Sequence, residues 1–92
     1  MLKIEFTTRM KRDYKRMEKR GKDMKKLGTV LKLLASCSPL PPKYQDHALK
    51  GDRKGLRECH IEPDWLLIYA IFEDEIVLSA TATGSHADLL GI

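Results

Sequence analysis

Residues 46–69 read DHALKGDRKGLRECHIEPDWLLIY, and this stretch decides the fold. It holds two of the three histidines, the one tryptophan and the start of the most apolar run of the chain. That run, residues 65–72 (WLLIYAIF), is apolar at odd and even positions alike, which predicts a central strand covered by helices on one side. The part before it combines histidines with a basic, glycine-bounded turn. We therefore expect the rest of the chain to be a scaffold that completes a site around this stretch.

Shorter strands are predicted before and after the central one. Residues 2–6 alternate apolar and charged side chains, as a half-buried strand does. In residues 56–61 the same period places Glu58 and His60 on one face and Arg57, Cys59 and Ile61 on the other. Further strands are predicted at residues 47–49 and 76–83, and a short helical turn at residues 86–90.

Two helices are predicted between the first strand and a proline-rich loop. Thr7 or Thr8 offers an N-cap hydroxyl, and an apolar stripe follows at helical spacing until Gly21 ends the helix. Asp23 can cap a second helix, and the prolines of residues 36–44 stop it. The order β-α-α-β-β-β-β predicts an α+β fold, in which a helical hairpin packs on one face of an antiparallel sheet, in one domain of residues 1–92.

The composition excludes some classes of protein. No apolar run approaches the roughly 20 residues that span a bilayer, so we expect no membrane contact. The start, MLKIEFTTRMKR, lacks the apolar region of a secretory signal, which predicts a cytoplasmic location. Cys37 and Cys59 are then expected to be reduced and structural. A zinc site from these cysteines with His47 and His60 lacks paired Cys-x-x-Cys spacing, so we predict neither a metal nor a cofactor.

Charge is segregated along the chain. All 17 Lys and Arg lie between Lys3 and Arg57 together with six acids, which leaves +11 on that part. The part from Glu58 onward holds seven acids and no Lys or Arg. This asymmetry predicts a polyanionic partner, although a solvated helical face would have the same composition. The candidate phosphate-binding residues, in and beside the glycine-bounded turn, are Lys50, Arg53, Lys54 and Arg57.

The candidate catalytic residues are His47, His60, Asp64 and His86. Histidine gives and takes protons near neutral pH, although a single histidine is more often structural. RNA supplies its own 2′-hydroxyl as nucleophile, so a metal-free ribonuclease needs a base, an acid and cations around the phosphate. Tyr44, Trp65 and Tyr69 are candidates for stacking on bases, but the last two are more typical of core positions. A non-catalytic RNA-binding module stays open as an alternative.

Three motifs together resemble one protein family. They are D-H-x-L at residues 46–49, R-E-C-H-I-x-P-D-W-L-L-I-Y at residues 57–69 and T-G-S-H-x-x-L at residues 83–89. The chain resembles, over its whole length, the YafQ branch of the RelE superfamily of bacterial type II toxins.

The resemblance implies a function and partners. It implies a ribosome-dependent endoribonuclease that cuts mRNA, a cognate antitoxin that neutralises it, and operator DNA bound only through the antitoxin complex. A protein whose main state is this antitoxin complex is a compatible reading. By motif position, His47 and His86 correspond to the proton-transfer pair, and His60 and Asp64 to orienting or stabilising residues.

Two positions depart from the family pattern. The family commonly has Arg-Thr-Gly before the last histidine, whereas this chain has Ala82-Thr83-Gly84. Loss of a transition-state donor in comparable sites costs about 10²–10³ in rate, so we hypothesise that Ala82 attenuates the toxin. The family also usually ends in Leu-Phe, and here Leu89-Leu90 removes an aromatic ring.

Overall fold

Five strands and three helices make up the described part of the chain, residues 1–91 of a computed structural model. The strands are β1 (Lys3–Phe6), β2 (His47–Ala48), β3 (Arg57–Glu62), β4 (Trp65–Phe72) and β5 (Val77–Gly84). The helices are α1 (Thr8–Lys19), α2 (Met24–Ala35) and α3 (His86–Leu90). This order confirms the predicted elements. No helix in this part of the chain is long and apolar enough to cross a membrane.

The sheet has the order β1-β5-β4-β3-β2 and is mixed. Strands β2 to β5 form the predicted antiparallel meander, joined by short turns. Strand β1, however, pairs with β5 in parallel, with Lys3 beside Val77 and Phe6 beside Ala80. No tight turn fixes the direction of β1, because the helical hairpin separates it from the meander. The prediction of a wholly antiparallel sheet is corrected at this one pair.

The helical hairpin begins and turns at the predicted residues. The Thr7 hydroxyl accepts a hydrogen bond from the Met10 N–H at 3.0 Å, and the Asp23 carboxylate accepts one from the Lys25 N–H at 3.1 Å. Between the helices Gly21 has φ +82°, a conformation that glycine adopts without a steric penalty. The two caps and this glycine set the hairpin against the sheet.

One face of the sheet and the hairpin enclose the main core. Trp65 and Tyr69 of β4 are 0% and 1% exposed and pack with Met10, Met17 and the leucines of α2. The Trp65 Nε1–H donates to the Thr83 hydroxyl at 2.9 Å, so its polar edge is satisfied inside the core. Trp65 and Tyr69 therefore belong to the core and are not available to stack on bases.

A smaller apolar cluster lies on the opposite face of the sheet. It consists of the buried residues Leu66, Ile68, Ala82 and Leu89, with Leu49 and Leu56 packed against them. Leu89 belongs to α3, so this cluster holds the C-terminal helix on the sheet. This second face of the sheet is thus partly covered, and the histidines lie beside the cluster.

Candidate active site

The rings of the three histidines meet at one place. His47 lies on β2, His60 on β3 and His86 at the first position of α3. The ring centre of His60 is 6.4 Å from that of His47 and 5.6 Å from that of His86. Pairing of β2 with β3 and of β4 with β5 brings these distant sequence positions together. The structure thus assembles the three histidines, and their catalytic role stays a prediction.

Asp64 holds His86 in place. Its Oδ1 accepts a hydrogen bond from the His86 backbone N–H at 2.9 Å and lies 2.6 Å from the ring Nδ1. These bonds, the backbone one first, keep the pKa of Asp64 below its usual value. A carboxylate beside Nδ1 orients the ring with its proton on that nitrogen, which leaves Nε2 for exchange with a substrate. Asp64 and His86 therefore form a hydrogen-bonded pair, a pairing that the sequence did not specify.

His47 has an acceptor beside each ring nitrogen. Its Nδ1 lies 2.8 Å from the Gln45 carbonyl oxygen, and its Nε2 lies 3.4 Å from Oε1 of Glu58. Glu58 is only 7% exposed. Sequence reasoning placed Glu58 on the face of His60 but did not include it among the site residues. Its strand position, beside His47 and two residues before His60, was the signal that could have identified it.

His60 lies between the other two rings and has an unused polar atom. Its Nδ1 is enclosed and has no hydrogen-bond partner among residues 1–91. Enclosed polar atoms nearly always have a hydrogen-bond partner in folded proteins, so this nitrogen is an exception. The rings of His47 and His86 thus have polar partners. His60, which lies between them, has one ring nitrogen without a partner among residues 1–91.

Two side chains of α1, Asp13 and Arg16, hold the end of β5 through hydrogen bonds to the backbone of Thr83. Asp13 is 3% exposed, and its carboxylate accepts a hydrogen bond from the Thr83 N–H at 3.1 Å. Arg16 donates to the Thr83 carbonyl at 3.3 Å and pairs with Asp13 at 3.2 Å. A Cβ added at Gly84 would lie 2.8 Å from the Asp88 Cβ and 3.0 Å from the Arg16 Nη2, so glycine is required there. Residues missed by sequence reasoning thus position the strand that leads into His86.

A second contact, from Arg20 directly after α1, holds α3 itself. Both Arg20 Nη atoms donate to the Asp88 carboxylate, at 2.5 and 3.0 Å. Asp88 also accepts from the Ser85 N–H at 2.9 Å, while the Ser85 hydroxyl accepts from the Asp88 N–H at 3.1 Å, which forms a capping box. Some basic residues of the part up to Arg57 therefore pair with acidic residues of the part from Glu58 onward, within the molecule.

Replacing Asp88 with asparagine should reduce the acid sensitivity of the fold. Several contacts hold the pKa of Asp88 well below its usual value, and the hydrogen bond from Arg20 contributes most to this lowering. Such a carboxylate stabilises the fold above the unfolded pKa of about 3.9, and this contribution is lost as the pH falls through the lower folded pKa. Urea midpoints measured at falling pH should decline less steeply for Asp88→Asn than for the parent. Asp52→Asn, at an exposed turn residue, is the control, and identical slopes for the parent and Asp88→Asn would contradict this account.

The four candidate phosphate-binding residues separate into two groups. Lys50 and Lys54 are exposed and have no ion pair among residues 1–91. Arg53 donates to the Leu89 carbonyl at 3.1 Å and so ties the turn to the end of α3. Arg57 lies on the helix-facing side of β3 and donates to Asp46 at 2.9 Å, which raises the pKa of Arg57. Arg57 therefore lies on the opposite face of β3 from His60 and is bound to Asp46.

Ala82 lies in the apolar cluster beside the site. It is 2% exposed and pairs with Ile68, which in turn pairs with Glu58. Position 82 is therefore two strands, about 10 Å, from the position of Glu58 on the same face, a distance that an arginine side chain can largely span. An arginine at position 82 would lie in the row of side chains that carries Glu58 and His47. Leu90, the other departure, is 41% exposed.

The cysteines lie away from one another and from the histidines' face. Cys37 is exposed after α2, whereas Cys59 is buried and faces the helices. Burial raises the pKa of the Cys59 thiol to about 12, as for a structural cysteine. Among residues 1–91, no three His, Cys, Asp or Glu side chains are grouped as metal ligands.

Comparisons with known proteins agree on one family. The family model described as a bacterial toxin of a type II toxin–antitoxin system, YafQ, matches residues 2–91. The mRNA interferase toxin YafQ of Escherichia coli K12 is 44% identical over 89 residues, which cover 96% of this chain and 95% of that protein. A metal-bound toxin from Helicobacter pylori superposes with a TM-score of 0.92 at 46% identity, over 97% of this chain and 99% of that one. A chain of the E. coli DinJ–YafQ complex superposes with a TM-score of 0.88 at 42% identity, over 99% and 100%. The chain belongs to the YafQ family of bacterial toxins of type II toxin–antitoxin systems.

Proposed function

We propose that this toxin is an mRNA interferase, an endoribonuclease that cuts mRNA on the ribosome and so stops translation. The observation that supports it most is the meeting of three histidine rings beside Asp64 and Glu58. Acid–base catalysis needs two proton-transfer groups on opposite sides of one phosphate, and His47 and His86 flank His60 in that way. The E. coli relative with 44% identity is an mRNA interferase by name.

The proposed reaction uses the RNA as its own nucleophile. The 2′-oxygen attacks the phosphorus while a base takes its proton, and the P–O5′ bond breaks while an acid protonates the leaving 5′-oxygen. The products are a 2′,3′-cyclic phosphate and a 5′-hydroxyl. His47 and His86 exchange these two protons. Asp64 orients His86, and His60 stabilises the phosphate between them.

Cations support the charge that grows on the phosphate. Lys50 and Lys54 are exposed in the turn beside β2, and Arg53 lies between them. Ala82 supplies no charge, so the proposal includes an attenuated rate. The H. pylori relative was solved with bound metal, but the described donors of this chain are not grouped to hold one. As proposed, the steps draw on protein side chains alone.

The same site fits the partners that the family implies. Its DinJ–YafQ relative was solved in a complex, and we propose a cognate antitoxin for this chain, with operator DNA bound only through the pair. The lysines of α1 and those that flank the turn Gly51–Arg53 have no ion pair among residues 1–91, and they suit an acidic antitoxin segment as well as rRNA and mRNA. Action on translating ribosomes places the protein in the cytoplasm.

A cleavage assay on translating ribosomes tests the proposal. Purified toxin, added to ribosomes stalled on a defined mRNA, should produce cuts that primer extension detects. The matched control is the His47→Ala/His86→Ala double variant, which should leave the mRNA intact while it still binds ribosomes. If the parent protein binds ribosomes but cuts nothing, even after Ala82→Arg, it is a non-catalytic ribosome-binding module and the proposal fails.

A further inference from the structure

A pocket of about 490 Å³ adjoins the histidine site. The ring of His60 lies in its wall, and the opposite walls come from α2 and the short turn Pro42–Tyr44. Its lining includes Lys26, Lys43, Tyr44 and Glu62. None of the acid–base steps uses this space, although it shares His60 with them.

The pocket lies against an open edge of the sheet. Strand β2 pairs only with Arg57 and Glu58, so β3 from Cys59 onward has no described strand on that side. Ile61 and Glu62, from this free part of β3, line the pocket. Main-chain donors and acceptors at a free strand edge are available to another molecule. Such groups suit the hydrogen-bonding edge of a splayed RNA base.

The charges around the pocket leave a positive excess. The Glu62 carboxylate binds Lys22 at 3.1 Å and Lys26 at 2.9 Å, so one carboxylate faces two ammonium groups. Lys43 has no carboxylate partner among residues 1–91. Two lysines and one glutamate therefore line the pocket, and Lys22 adds a further ammonium group beside that glutamate, so the surroundings favour an anionic ligand.

Tyr44 offers an aromatic face to this pocket. The Lys43 ammonium lies over its ring, 5.0 Å from the centre, so that face is reached from solvent and is not sealed in the core. Trp65 and Tyr69 are buried, which leaves Tyr44 as the aromatic beside His60 that a base can reach. A base can replace the ammonium on the ring, and Lys43 then reaches the attached phosphate.

We propose that this pocket binds the RNA nucleotide that flanks the cleaved phosphate, with its base on Tyr44 and its phosphate between Lys26 and Lys43. His60, which lines the pocket, contacts this nucleotide from the side of the histidine site. An aromatic face, ammonium groups and strand-edge hydrogen bonds are together the set that recognises single-stranded RNA. This inference rests on the proposed function and adds a substrate subsite to it.

A binding experiment without cleavage tests the subsite. The probe is a short single-stranded RNA with methylated 2′-hydroxyls, which cannot be cut, titrated into the intact toxin while backbone amide signals and fluorescence anisotropy are followed. Amides of Lys43 and Tyr44 should shift. Tyr44→Ala should weaken binding about 5- to 150-fold, the range expected for one base stacked on an aromatic ring, and Tyr44→Phe should restore it.

Two matched controls separate the pocket from general effects. Phe72→Ala removes an exposed aromatic at the far end of β4, and Lys32→Gln removes an exposed lysine of α2 that does not line the pocket. Both should bind RNA like the parent, whereas Lys43→Gln should bind several-fold more weakly. Equal binding by Tyr44→Ala and the parent overturns the inference. So does tighter binding of a free mononucleotide than of the RNA, or a loss confined to antitoxin binding.

The failure of this subsite differs from failure of the proposed function. If the parent cuts mRNA on ribosomes and Tyr44→Ala cuts it with the same rate and nucleotide preference, the function stands and the subsite is wrong. If the RNA binds at Tyr44 but the parent never cuts mRNA, the subsite stands and the nuclease is wrong. With both correct, Tyr44→Ala should raise KM and alter the preference for one flanking nucleotide, with kcat little changed.

Discussion

Replacing His86 with alanine should lower the rate of mRNA cleavage on ribosomes by about 10²–10⁴-fold, the usual contribution of one general acid or base. The ring would no longer exchange a proton at Nε2, while Asp64 would keep its bond to the backbone N–H. His47→Ala should have an effect of the same size, and both variants should still bind ribosomes. The measurement is the single-turnover rate at saturating toxin. If both variants cut at the parental rate, the catalytic assignment is wrong.

Two aspartate-to-asparagine substitutions, one inside the site and one far from it, provide the control for this result. Asp64→Asn leaves the ring in place but removes the carboxylate that orients it, so the rate should fall. Asp74→Asn changes an exposed residue in the turn Glu73–Glu75, at the opposite end of the eight-residue strand β4. Its rate and its melting temperature should equal those of the parent. A similar rate loss in both asparagine variants would point to a general effect of charge.

Replacing Ala82 with arginine should raise the cleavage rate by about 10²–10³-fold, because a donor would return to the transition state. Position 82 lies on the face of Glu58 and His47, so the guanidinium can reach the site from the strand. The same change should lower stability by about 1–3 kcal/mol, because Leu66, Ile68 and Leu89 now enclose a methyl group there. Cleavage rate and unfolding free energy measure the two effects separately.

Ala82→Met separates charge from bulk in this experiment. Methionine adds length inside the same apolar cluster but no positive charge, so it should lower stability without a gain in rate. Growth of cells that express each variant without an antitoxin gives a second readout, in which only Ala82→Arg should be markedly more toxic. If Ala82→Arg and Ala82→Met cut mRNA as slowly as the parent, position 82 does not limit the rate.

Local patterns predicted most of the fold. The Thr7 and Asp23 caps, the stop at Gly21 and the buried stripes of both helices depend on neighbours within a few residues, so a sequence shows them directly. The alternation in β3 likewise placed His60 and Glu58 on one face. The parallel pairing of β1 with β5 depends on how the helical hairpin packs on the sheet between the two strands. No pattern within a few residues of β1 specifies that packing.

The contacts that position the site were not predictable in the same way. Asp13 meets the Thr83 N–H across 70 residues, and Arg20 meets Asp88 across 68. Composition shows only that such charges exist, not which ones pair. Arg57 shows what composition does not reveal. The alternation in its strand placed it on the face opposite His60, whereas its charge suggested a contact with RNA. In the structure Arg57 pairs with Asp46 on the helix-facing side of the sheet, and its contact with RNA stays a prediction.

The chemistry of the cut ends tests the central claim most directly. If the 2′-hydroxyl attacks and histidines transfer both protons, mRNA cut on ribosomes should carry a 2′,3′-cyclic phosphate and a 5′-hydroxyl, and one 2′-deoxy nucleotide at the cut position should block cleavage there. Ends with a 3′-hydroxyl and a 5′-phosphate, or unchanged cutting of the 2′-deoxy substrate, would contradict the proposed histidine mechanism.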